Sequence, residues 1–67
     1  MISEAEALLV ARRECEKRKW VWQEPVVAQL KRHIWIVHTN WGSRGMNAII
    51  YIDGEKGSVI KATYLPR

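Results

Sequence analysis

An α+β fold, one N-terminal helix packed on a four-stranded antiparallel β-meander, is predicted by three features of the chain. A capping-box pair opens a stretch of helical periodicity, four strand-like runs follow it on short turns, and one of those runs is apolar on both of its alternating faces. A helix followed by strands joined by short connections is most simply closed as a meander with the helix across one face. The 67 residues make one domain, 1–67. A chain this short buries only about 60% of its unfolded surface, so its stability is expected to be marginal.

Ser3 and Glu6 have the spacing in which a serine hydroxyl accepts the third backbone N–H and the glutamate reaches back to the cap. From Glu4 to about Arg18, Leu8, Ala11 and Cys15 recur at three- and four-residue intervals, with Ala5, Ala7 and Leu9 widening the stripe. Arg12 with Glu16 and Glu14 with Arg18 are opposite charges four apart. Acids lead and bases trail, the order that the helix dipole prefers. Trp20-Val21-Trp22 breaks the helical pattern, and Gln23-Glu24-Pro25 turns the chain toward the sheet. Trp20 or Trp22 is expected to close one end of the core beneath that turn.

Val26 to Lys31 reads as the first strand and Ile34 to Asn40 as the second, with the polar turn Lys31-Arg32-His33 between them. In the second strand Trp35, Val37 and Thr39 share one face, and Ile34, Ile36 and His38 the other. The loop 41–45 carries two glycines that allow the chain to turn back. The third run, 46–53, directs Ala48, Ile50 and Ile52 one way and Ile49 and Tyr51 the other, as a central strand does. Asp53-Gly54 and Gly57 mark a hairpin, after which Ser58 to Tyr64 forms the fourth strand. Pro66 ends the ladder.

One helix covers one sheet face. If Trp35, Val37, Ala48, Ile50 and Ile52 face it, then Ile34, Ile36, Ile49 and Tyr51 form an apolar patch on the uncovered side; the opposite choice exchanges the two sets and still leaves one bare. Such a patch marks an interface. It predicts a protein partner or a homodimer joined through sheets. Trp41 and Arg44 in the loop are further contact candidates, being residue types that dominate protein contacts, although Trp41 is also suited to covering the sheet edge.

Other chemistry is sparse. His33 and His38 fall into no metal spacing with Cys15 or the carboxylates, and Cys15 reads as a small buried apolar residue. Cys15, His38 and Asp53 are the residue types of a nucleophile, base and orienter without the spacing that would argue for one. Gly42-Ser43-Arg44-Gly45 lacks the longer phosphate-loop pattern, and Asp53 is better read as the acceptor of its own turn than as a calcium ligand. No catalytic residue, cofactor or metal is expected. The chain shows no basic leader followed by an apolar core and no run long enough to span a membrane, so a cytoplasmic location is expected. The net charge of +4 and the basic helix residues Arg12, Arg13 and Lys17 make nucleic-acid binding the second functional reading.

Ser3 with the alanine-bearing helix, Trp35-Ile36-Val37, the loop ending at Gly45, and Ile50-Tyr51-Ile52-Asp53 followed by Gly57-Ser58-Val59 form a combined pattern. This pattern resembles the small PepSY and cystatin-like modules and the related NTF2-fold immunity proteins of bacteria. The resemblance spans nearly the whole chain. It implies a binding, inhibitory or immunity module rather than an enzyme, with the hairpin as a structural element. The basic charge and the tryptophans at 20 and 22 depart from it, and the charge argues against a nuclease partner of the kind met by acidic mimics of nucleic acid.

Overall fold

A computed structural model describes residues 1–67. Helix α1 runs from Glu4 to Arg18. The Ser3 hydroxyl accepts the Glu6 N–H at 3.1 Å, while the Ser3 N–H donates to the Glu6 carboxylate at 2.8 Å, completing the capping box. At the other end Lys19 adopts the left-handed conformation (φ 63), and the Trp20 N–H turns back to the Cys15 carbonyl at 2.9 Å.

Four strands follow: β1 (Val27–Lys31), β2 (Ile34–His38), β3 (Asn47–Asp53) and β4 (Val59–Leu65). They pair antiparallel in chain order, β1-β2-β3-β4, so the sheet is the expected meander. Trp35 lies opposite Ile52, and Val37 opposite Ile50. Their side chains therefore share a face, and α1 covers it. Trp35, Val37, Ala48, Ile50 and Ile52 are buried against Ala7, Ala11 and Cys15 of the helix.

The helix meets the sheet through its smallest side chains. Ala7, Ala11 and Cys15 are fully buried, Leu8 is half-buried, and Ala5 and Leu9 are exposed. The expected stripe is thus rotated about the helix axis toward Ala7. Leu8 and Leu9 point about 100° apart and cannot both face the sheet, and a helix centred on the small residues can approach the bulky Ile50 and Trp35 more closely. Burial and the negative charge of Glu14 push the Cys15 thiol pKa up, consistent with its apolar role.

The charged flank also sorts itself. Glu14, almost covered, is held by the Arg18 guanidinium as expected, with Lys17 at 3.8 Å. Arg12 does not pair with Glu16; its guanidinium lies over the Trp22 ring, 5.7 Å from the centroid. Trp20 stacks on Tyr64 of β4 at 5.3 Å and carries Arg18 on top, which closes that end of the core.

Strand limits shift by a residue or two where the backbone leaves extended geometry. Asn40 (φ 51) and Met46 (φ 56) are left-handed, so β2 and β3 stop short of them. In β4 the register shift opposite Tyr51 and Ile52 makes Ile60 the extra residue of a bulge. Arg32 (φ 49) and His33 (φ 69) form a two-residue turn with both central angles positive, the geometry that matches strand twist.

The last hairpin turn braces the first. The Gly54 N–H donates to the His33 carbonyl at 2.6 Å, and a Cβ at Gly54 would come within 2.5 Å of that oxygen. Only glycine fits there. The N-terminal segment joins this corner: the Ile2 N–H bonds the Gly54 carbonyl at 2.7 Å, and the Trp35 indole donates to the Ile2 carbonyl at 3.2 Å.

Two carboxyls lie below their ordinary pKa because backbone N–H groups favour the ionised form: Glu6 through Ser3, and Asp53 through Lys56 and then Glu55. A folded value below the unfolded one gives stability that is present above the unfolded pKa of about 4 and is lost as pH falls through the folded value. Melting temperature is accordingly expected to drop on acidification below about pH 4. Asp53→Asn should make that drop shallower in melts followed by circular dichroism, and an unchanged slope would remove Asp53 from this account.

Candidate protein-binding face

The strand register fixes which side chains stand on the sheet face away from α1. Lys31, Ile34 and Asp53 form one row; Gln29, Ile36, Tyr51 and Lys61 the next; Val27, His38, Ile49 and Thr63 the third. Ile34, Ile36, Ile49 and Tyr51, predicted as an uncovered patch, come together at the centre of this face on β2 and β3, each half-buried by its neighbours alone. They form a continuous apolar strip.

The loop 41–45 lies at one end of the strip, beside His38 and Asn47. Asn47, on the same face but 2% exposed, is its internal brace: its Nδ2 donates to the carbonyls of Thr39 and Asn40 at 3.0 Å and of Ser43 at 3.2 Å, and its Oδ1 accepts the Gly45 N–H at 2.8 Å. The Asn40 side chain donates to the Gly45 carbonyl at 2.9 Å. From outside, the Asn40 N–H bonds the Gln23 carbonyl at 2.7 Å and the Trp41 N–H the Pro25 carbonyl at 2.9 Å. Gly45 (φ 91) passes close to the C-terminal backbone, where a Cβ would meet the Arg67 Cα at 3.2 Å. A loop held at this many points presents its side chains in a fixed direction.

Trp41 is 48% exposed and meets His38 edge-on, with ring centroids 5.0 Å apart at 89°. It therefore stands beside the strip with half its surface free. Arg44 is exposed in the same loop and makes no hydrogen bond, ion pair or aromatic contact within the chain. The six residues singled out from the sequence thus lie on one face and the loop at its end. Sequence reasoning missed three others: His38 as the seat of Trp41, Asn47 as the brace, and Lys61, whose ammonium lies 5.9 Å from the Tyr51 centroid. A polar residue at the start of an otherwise apolar strand was the available signal for Asn47.

Cys15, His38 and Asp53 are not brought together. Cys15 lies under the helix, His38 stands on the opposite sheet face, and the Asp53 carboxylate accepts the Glu55 and Lys56 N–H groups of its own turn at 2.8 and 3.1 Å. A second surface feature is an open groove of about 520 Å³ beside the helix, lined by Ala5, Leu8, Leu9, Trp22, Pro25 and Val26. Arg12 and Glu24 give its rim both signs of charge.

No helix is long and apolar enough to cross a membrane. No protein-family model, curated protein or solved structure matches the chain.

Proposed function

We propose that this domain is a non-enzymatic protein-binding module, a bacterial inhibitor or immunity protein in its most specific version, that engages its partner through the open sheet face and the 41–45 loop. The observation that carries this reading is the strip of Ile34, Ile36, Ile49 and Tyr51 on the face that α1 leaves bare, bordered by the half-exposed Trp41. An apolar strip in water is stabilised by a covering surface, and an exposed tryptophan and arginine at its border are the residue types on which contact energy concentrates.

The test is retention of a protein by the tagged chain from nuclease-treated lysate at physiological salt. Ile49→Glu puts a charge at the centre of the strip without touching the core, and Arg44→Glu reverses the free cation of the loop. Both are expected to abolish or sharply weaken retention with an unchanged circular dichroism spectrum, Arg44→Glu leaving the melting temperature near the parent's and Ile49→Glu lowering it by no more than about 4–8 °C. Undiminished retention by Ile49→Glu would overturn the reading.

Nucleic-acid binding through the basic helix is the second reading, supported by the net charge of +4. Several of the helix cations are already engaged: Arg12 lies over Trp22, Arg18 holds Glu14 and covers Trp20, and Lys17 lies 3.8 Å from Glu14. Binding by this route would weaken steeply with salt and with loss of Arg12, Arg13 and Lys17.

A further inference from the structure

We infer that the partner element seated on the open sheet face is an acidic amphipathic helix of another protein; this rests on the protein-binding reading and specifies its chemistry. Charge is the first argument. Lys31 on β1 and Lys61 on β4 stand exposed at opposite edges of the face, flanking the apolar strip of β2 and β3. Asp53 is the one acid among the three rows; it is ionised, but it stands at the end of the strip with its carboxylate turned to the Glu55 and Lys56 N–H groups of its own turn, so the face carries two cations to one anion. A complementary surface is apolar along its centre and acidic along both flanks.

Dimensions are the second argument. Four strands separated by about 4.8 Å place the axes of β1 and β4 roughly 14 Å apart, and the three rows span about 14 Å along the strands. A helix with its side chains is about 10–12 Å across. Laid over β2 and β3, it fills the space between the backbones that carry the two lysines, with the Lys61 ammonium, now 5.9 Å from the Tyr51 centroid, swung to its flank, and about three turns, on the order of 10 residues, reach from end to end. An extended segment laid face-on leaves its backbone N–H and C=O groups unpaired, whereas a helix satisfies its own. A second copy of this chain would bring its own Lys31 and Lys61 and another +4 to the contact. The mixed charge of the groove beside Trp22 selects no partner sign.

The test uses two synthetic helical peptides with the same leucine stripe, one with glutamate flanks and one with lysine flanks. Each is titrated into the 15N-labelled full chain, with affinity read by fluorescence anisotropy. The glutamate peptide is expected to bind at least about tenfold more tightly, shifting amides of 34–38, 49–53 and Lys61. Lys31→Glu with Lys61→Glu should cost it about tenfold or more, because two rim attractions become repulsions, and should raise affinity for the lysine peptide. Equal binding of both peptides on this face would overturn the acidic-helix inference while leaving a protein-binding face intact. Shifts confined to the Trp22 groove would overturn both, whereas no binding by either peptide would overturn the acidic-helix inference and leave the protein-binding reading to the retention test of Ile49→Glu. A concentration-dependent dimer in sedimentation that broadens the strip resonances would assign the face to a second copy. Displacement of the glutamate peptide by a short oligothymidylate would assign it to nucleic acid.

Discussion

Ile50→Ala is expected to lower the stability of the domain by about 3–4 kcal/mol, whereas Ile49→Ala one residue away should cost only about 1 kcal/mol. The two side chains leave the same strand in opposite directions. Ile50 is fully buried, paired with Val37 on one side and Ala62 on the other, beneath the helix. Its truncation removes apolar contacts and leaves a cavity that the sheet, held by three antiparallel pairings, closes only in part. Domains of this length hold on the order of 3–10 kcal/mol in total, so Ile50→Ala should leave a substantial unfolded population. Ile49 stands on the open face beside His38 and Thr63, where truncation changes surface already reached by water. Urea denaturation of both variants checks the contrast. Equal losses would mean that the two faces are equally covered, and the open face would lose its meaning as a contact surface.

Asn47→Ala should be the next most damaging change, with a loss of about 1–3 kcal/mol and a fall in partner affinity although no strip residue is altered. One amide side chain serves four backbone groups of the 39–45 segment, and removing it leaves the Gly45 N–H and the Thr39 carbonyl without their partner. The outer bonds from Gln23 and Pro25 remain, so the loop is expected to loosen rather than detach. Trp41 then loses its fixed seat against His38. Asn47→Asp is the informative companion, because it keeps the acceptor for Gly45 and loses both donors. A melting temperature and a partner affinity within error of the parent's in Asn47→Ala would show that the loop is held from outside alone.

The elements were legible because their signals were local. Ser3 with Glu6 marked the start of the helix, and Asp53-Gly54 marked the last hairpin; the capping bonds and the two N–H groups at the Asp53 carboxylate are the physical content of those signals. Alternation alone separated Ile49 and Tyr51 from Ile50 and Ile52, because the period of a strand is two. The choice of face was not legible. It depends on the helix presenting Ala7, Ala11 and Cys15, and both faces of β3 read as apolar. The Arg32-His33 turn carried no glycine or asparagine to announce its positive angles. The bracing by Asn47 and the redirection of Arg12 from Glu16 to Trp22 arise from contacts between segments distant in the fold, which spacing within one segment does not encode. Within the site, the apolar members were found by pattern, whereas Lys31 and Lys61 acquire meaning only once the register sets them at opposite edges of the strip.

The most direct test of the central claim, that the open face is where a partner binds, uses the isoleucine methyl spectrum of the chain before and after addition of the retained partner. Ile34, Ile36 and Ile49 report the open face, while Ile50 and Ile52 lie in the core as controls within the same strands. Shifts or broadening at Ile34, Ile36 and Ile49, with Ile50 and Ile52 little changed, are what a contact through the strip produces. Perturbation that spares those three and falls instead on Ile2 or Ile60 would contradict it.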